Sequence, residues 1–125
     1  MEADARADLD YCYVTTTGRN SGNPHTIEIW FALRGDRVYL LAGGGDQSDW
    51  VRNIRREPRV ALRLGDDDMI CRAHVVEDPE EDALARRLLL EKYGRGGSND
   101  LEDWGRTALP VVVELPAAPE AAARV

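Results

Sequence analysis

Hydrophobic and polar positions alternate along much of this chain with a period of two, the pattern of strands that bury one face. From Thr26 to Leu33, Ile27, Ile29, Phe31 and Leu33 alternate with Glu28, Trp30 and Ala32. Val60, Leu62 and Leu64 repeat the pattern, and after the turn GDDD the run Met69–Val76 makes another strand. Tyr11–Thr17, rich in β-branched and aromatic residues, reads as an earlier strand that runs into Gly18. Gly35-Asp36 turns the chain into Arg37–Ala42 and so predicts a β-hairpin, while LPVVVEL reads as a final buried strand.

Other segments have helical character. After Gly43, Gly44 and Gly45, DQSDW leads into a short helix with Trp50, Val51 and Ile54 on one side. Either Asp46 or Ser48 can cap it, and Pro58 ends it. Asp78-Pro79-Glu80-Glu81 starts a second helix, with Asp78 as cap, Pro79 in the first turn and Glu81 completing an approximate capping box. Leu84 with Leu88 and Ala85 with Leu89 carry it to about Tyr93. GRGGSND interrupts it, and LEDWGR forms a further helical turn. The order β-β-β-α-β-β-α-α-β is dominated by hairpins, so the fold is expected to be mainly β (α+β), an antiparallel barrel with short flanking helices.

A chain of 125 residues has room for one core. The expected domain spans residues 1–115, followed by an Ala/Pro-rich tail, 116–125, with no chemistry assigned to it. A net charge of -7 opposes non-specific attraction to nucleic acid or anionic membranes. There is no apolar run of membrane-spanning length, so no integral membrane segment is expected, and MEADARADLD lacks the features of a signal peptide. The expected location is cytoplasmic. Cys12 and Cys71 lie far apart without metal-ligand spacing, so neither a metal site nor a disulfide is expected, and burial is the better reading of both.

Two loops carry candidate chemistry. In TTTGRNSGNPH, Gly18 and Gly22 allow close backbone approach, and Thr16, Thr17, Arg19, Asn20, Ser21 and His25 supply donors suited to phosphate oxygens. The same residues also make an ordinary polar hairpin loop. In AGGGDQSDWVRNIR, glycines precede a helix N-terminus, which favours anions, although Asp46 and Asp49 compete for that end. A flexible, aspartate-capped turn is the alternative. Neither a Walker loop nor a Rossmann fingerprint is present, and no Gly-x-Ser-x-Gly elbow supports hydrolysis. Trp30 suits either stacking on a planar ring or a subunit interface, the latter preferred, and His74 reads as structural.

Taken together, TTTGRNSGNPHTIEIWF, GDRVYLLAGGG and SDWVRNIRREPRV, with Trp50-x-x-Asn53-x-x-x-x-Pro58, resemble the deazaflavin-dependent nitroreductases of the pyridoxamine-phosphate-oxidase-like split β-barrels. The resemblance covers residues 11–64 closely and resumes at DWGRTALPVVVEL. It implies a split β-barrel that binds coenzyme F-420 and passes a hydride to a small-molecule acceptor such as a quinone or nitroaromatic. The resemblance implies that Thr17, Arg19 and Gly22 of this loop also contact the cofactor, with its phosphate and tail near Asn20, Ser21, Pro24 and His25. Its ring would lie along Ala42, Gly43, Gly44, Gly45, Ser48, Asp49, Trp50 and Asn53. Tyr93, with Trp104 and Arg106 near it, falls where the family keeps aromatic residues on the acceptor side, and is the candidate proton donor or acceptor clamp.

The chain departs from that pattern. Asn20 stands where a basic residue is usual and His25 where an arginine is common, and the glycine loop is shorter and lacks a lysine. Arg19, Arg52, Arg55 and Arg56 are the candidates to replace the lost positive charge. Two other readings keep the barrel: one uses FMN, and the other is a non-enzymatic carrier of haem or lipid. A homodimer that buries Trp30 is expected, because split barrels commonly pair.

Overall fold

The computed structural model describes residues 5–94 and 99–116, with the side chains of 5 and 99–102 left outside that description. Within it, one antiparallel sheet contains β1 (Cys12–Thr17), β2 (Pro24–Ile29), β3 (Ala32–Arg34), β4 (Arg37–Ala42), β5 (Arg59–Leu64), β6 (Asp67–Val75) and β7 (Leu109–Glu114). Helices α1 (Asp49–Arg56), α2 (Pro79–Tyr93) and α3 (Asn99–Thr107) flank it, and 3₁₀ turns form at Ala5–Asp8 and Gly45–Gln47. The strand order is β2-β1-β5-β6-β7-β4-β3. The interruption expected at GRGGSND falls largely on 95–98, and the tail on 117–125, both outside the described residues.

The single strand expected over Thr26–Leu33 is in fact two, β2 and β3, which lie at opposite edges of the sheet. Three Cα steps connect Ile29 to Ala32 and reach at most about 11 Å, so the edges are held close and the sheet must curl into a barrel. Alternation continues through the break because a bent strand keeps its inward and outward faces, which is why the pattern alone did not reveal it.

Backbone groups at this seam have no ladder partner, and α2 supplies one. The Phe31 amide donates to the Tyr93 hydroxyl at 3.1 Å. The Phe31 carbonyl accepts from Lys92 Nζ at 3.0 Å, and the single Tyr93 proton is shared between the Phe31 and Asp10 carbonyls at 3.0 and 2.9 Å. Lys92 also sits 3.8 Å from the centre of the Phe31 ring. Buried polar backbone without such partners would be costly.

The barrel interior is filled by Val14, Phe31, Leu40, Leu62, Leu64 and their neighbours, together with Val51 and Ile54 of α1. A second layer forms outside β3, β4 and β7, where Tyr39, Leu41 and Val112 meet Ala85 and Leu89 of α2. Strands β4 and β7 are therefore buried on both faces. Among the described residues no such layer forms outside β1 and β6, and Tyr13 and Ile70 are 40% and 53% exposed. Trp30 belongs to the second layer, stacked on Tyr93 and edge-on to Trp104. Its ring partners among the described residues, Tyr93 and Trp104, belong to the same chain.

Two capping details also differ from expectation. Asp78 Oδ2 does accept from the Glu81 amide at 2.9 Å, but the reciprocal half of the box is replaced. The Glu81 carboxylate instead takes Arg37 and the Tyr39 hydroxyl, the latter at 2.7 Å, and these stronger charge-assisted bonds tie α2 to β4. Ser48 is the N-cap of α1 by backbone conformation, without a side-chain bond. Asp46 lies in the preceding 3₁₀ turn and pairs with Arg55 at 2.6 Å. Cys12 and Cys71 are both buried and free, and burial pushes their thiols up to about 12 and about 11, so they stay protonated and inert.

Candidate functional site

The β1–β2 connection is a tight loop with internal bonds. Gly18 N donates to Asn23 O and Gly22 N to Gly18 O, both at 2.8 Å, and Ser21 Oγ accepts from Asn23 N at 3.0 Å. Gly22 needs its missing side chain because φ is +78°. Gly18 needs it for space: a Cβ there would stand 2.7 Å from His25 Nε2 and 2.9 Å from Ser21 Oγ.

One buried side chain fastens this loop to α1. Asn53, 4% exposed, accepts through Oδ1 from Arg19 N at 3.1 Å and Arg19 Nη1 at 2.9 Å. Its Nδ2 donates to Thr16 Oγ1 at 3.0 Å. Arg19 extends further to Asp49 Oδ1 at 3.1 Å. The two sequence-predicted regions are thus drawn together, and between them opens a cleft of about 660 Å³.

Arg19, Asn20, Ser21, Pro24 and His25 line one side of this cleft, and Asp49, Trp50 and Asn53 the other. Thr26 and Ile27, which the loop motif did not single out, complete it. Their presence follows from the β1–β2 register, which sets Thr26 opposite Thr15 and Ile27 opposite Val14. Thr17 and Gly22 face a neighbouring shallow hollow instead. Ala42, Gly43, Gly44, Gly45 and Ser48 are not part of the cleft wall: Ala42 is in the core, and Gly44 abuts Ser48. A Cβ on Gly43 would lie 3.7 Å from the Trp104 ring.

A second hollow, about 330 Å³, is lined by Tyr11, Glu28, Ile29, Trp30, Leu41 and Trp104. Along β2, Pro24, His25, Thr26 and Ile27 are among the residues lining the cleft, and Glu28 and Ile29 among those lining the hollow. Trp30 stacks parallel on Tyr93 with centroids 4.3 Å apart, and the Trp104 ring stands perpendicular to it at 5.5 Å. Tyr13 donates to Glu28 Oε1 at 3.0 Å, and that bond, with the carboxylate charge, raises the Tyr13 pKa.

Tyr93 lines neither space. Its hydroxyl is engaged by seam backbone, and burial pushes it up to about 12, so it is a neutral pin behind Trp30. Among the candidate cations, Arg19 is answered by Asp49. Arg52 is turned to Asp46 O and Gln47 Oε1 at 3.1 and 2.6 Å, and Arg55 to Asp46. The cleft is therefore rich in donors but close to neutral, which suits an acceptor-only group held by hydrogen bonds, with the Trp50 side chain beside it.

Comparison with known proteins places this geometry in context. The sequence profile described as F420H(2)-dependent quinone reductase matches residues 5–116. Among solved structures, one described as an F420-H2 dependent reductase is 22% identical, with 84% of this chain and 94% of that chain covered at a TM-score of 0.68. A chain described as a domain-swapped dimer is also 22% identical, covering 86% and 81% at 0.70. The haem-storage protein of Vibrio cholerae is 13% identical, covering 90% and 86% at 0.74. At such identities the structural likeness shows the shared split-barrel fold.

Proposed function

Because this chain belongs to the F420H(2)-dependent quinone reductase family, we propose that the cleft between the Gly18–Asn23 loop and α1 holds coenzyme F-420 for reduction of an electron-poor acceptor such as a quinone or nitroaromatic. Membership makes the protein an oxidoreductase with coenzyme F-420 as its cofactor. The observation that carries the assignment of the site is the Asn53 clip, which joins both motif regions around one open cleft. The donor set fits the group: Asn20, Ser21 and His25 would hold the phosphate and tail, and Trp50 would lie along the ring.

When bound, the coenzyme supplies the hydride chemistry, which is why the chain needs no catalytic triad. The protein's part is orientation and exclusion of water. Asn53 and Arg19 fix the loop that carries the donors, and the Trp30–Tyr93–Trp104 stack gives a rigid wall on the acceptor side. Tyr93 acts in this reading as a positioning residue for that wall.

Titration of the purified protein with coenzyme F-420 and with FMN tests the proposal. Saturable binding of F-420, and its consumption on addition of menadione, is expected. Affinity no better than about 1 mM, or clear preference for FMN, would overturn it. We also propose a homodimer joined through the outer face of β6, where Ile70 is 53% exposed. A neighbour of the same fold described as a domain-swapped dimer supports this reading, and a monomer in light scattering at high concentration would refute it.

A further inference from the structure

The hollow beside the cleft has an unusual combination of walls. Tyr11, Trp30 and Trp104 supply aromatic surface, with the two indoles perpendicular, and the one formally charged lining residue is Glu28. Among the described residues no cation pairs with that carboxylate; its partner is the Tyr13 hydroxyl, which leaves the negative charge in place. Arg63, whose charge acts on Tyr13, is itself held by Asp68 at 3.0 Å, and Lys92 is spent on the Phe31 carbonyl at 3.0 Å. Aromatic faces and a carboxylate share one electrostatic preference, since both attract positive charge and repel negative charge.

We propose that this hollow docks the acceptor and that Glu28 makes it selective for electron-poor rings carrying positive charge over anionic ones. The inference rests on the reading of the cleft as the coenzyme site, and it names the substrate class that site would serve. Position supports it: β2 runs directly from the cleft into the hollow, and Leu41 leads from it to Gly43, whose bare backbone faces Trp104. Charge complementarity decides the occupant. A planar cation meets π-faces and a carboxylate, whereas a sulfonate or carboxylate on the same ring meets only repulsion.

Calorimetric titration of the protein without coenzyme tests this with two probes on one skeleton, anthraquinone-2-sulfonate and an anthraquinone bearing a trimethylammonium group at the same position. The cationic probe is expected to bind about tenfold more tightly, the effect of one added attraction and one removed repulsion of roughly surface strength. Glu28→Gln, at an exposed position, should bring the two affinities to within about twofold, and Tyr11→Ala should weaken both probes. Equal affinities for the wild type, a ratio unchanged by Glu28→Gln, or binding indifferent to Tyr11→Ala would each overturn the proposal. A parallel titration of Glu28→Gln with F-420 separates the two readings. Unchanged coenzyme affinity is expected, and loss of coenzyme binding would overturn the assignment of Glu28 to the acceptor alone. Failure of the wild type to bind F-420, with the charge preference intact, would instead remove the coenzyme reading.

Discussion

Replacing Asn53 with alanine removes three hydrogen bonds at once from a side chain that is 4% exposed. Two of them join neutral groups and are worth about 1 kcal/mol each, and the one from the Arg19 guanidinium is worth somewhat more. The loss also orphans the Thr16 hydroxyl, which is 1% exposed and has Asn53 Nδ2 within reach at 3.0 Å. A cost of about 3 kcal/mol results, against a total stability of roughly 5–15 kcal/mol for a domain of this kind. Urea denaturation should show a lower midpoint with unchanged slope, and Tm should fall by roughly 10 °C. Thr16→Val alone should cost less, and the double variant should cost less than the sum by about 1 kcal/mol, because the orphaned partners disappear together. A cost for Asn53→Ala below about 0.5 kcal/mol, or strict additivity with Thr16→Val, would refute the account of Asn53 as the fastening between loop and helix.

Other consequences can be checked independently. Gly105→Ala would place a Cβ 2.6 Å from Leu90 Cδ1 where α3 meets α2, and should destabilise by about 1–3 kcal/mol in thermal melts. Asp49→Asn releases Arg19 from its ion pair and should tighten binding of F-420 up to about fivefold at low salt; weaker binding would contradict the view of Asp49 as a competitor for that guanidinium. Burial first, and then the bond to the Glu81 carboxylate, push the Tyr39 hydroxyl from 10.0 up to about 12. A raised folded value gives stability that is complete below pH 10 and lost as pH rises through about 12, so alkaline unfolding curves should flatten in Tyr39→Phe.

Much of this architecture could be read from residue order because local chemistry and tertiary packing agree. The cap at Asp78, the Gly35-Asp36 turn and the buried LPVVVEL strand all stand where local rules put them. The division between β2 and β3 was not legible, since facing pattern records which side a residue points to and not which edge its strand occupies. Partners of long side chains were equally hidden. Glu81 left its helix terminus for Arg37 and Tyr39, and Trp30 turned to Tyr93 and Trp104, residues more than sixty positions away. The cleft wall was legible in the first loop and at Asp49, Trp50 and Asn53, but Ala42–Gly45 and Ser48 fell outside it, and the neighbouring hollow required Tyr11, Glu28 and Trp104 to be brought together by the closed sheet. The charges of Arg19 and Arg55 are answered by Asp49 and Asp46, and Arg52 is turned away to Asp46 O and Gln47 Oε1, partners that spacing alone does not disclose.

The last strand in sequence, β7, lies between β6 and β4, near the middle of the sheet. During synthesis, neither neighbour has its second partner until residues 109–114 have emerged from the ribosome. Assembly should therefore be late and abrupt, with slow closure set by the long loops that must be ordered first. A nascent chain lacking β7 would present two unpaired ladders at once, a window in which chaperone capture competes with completion of the barrel.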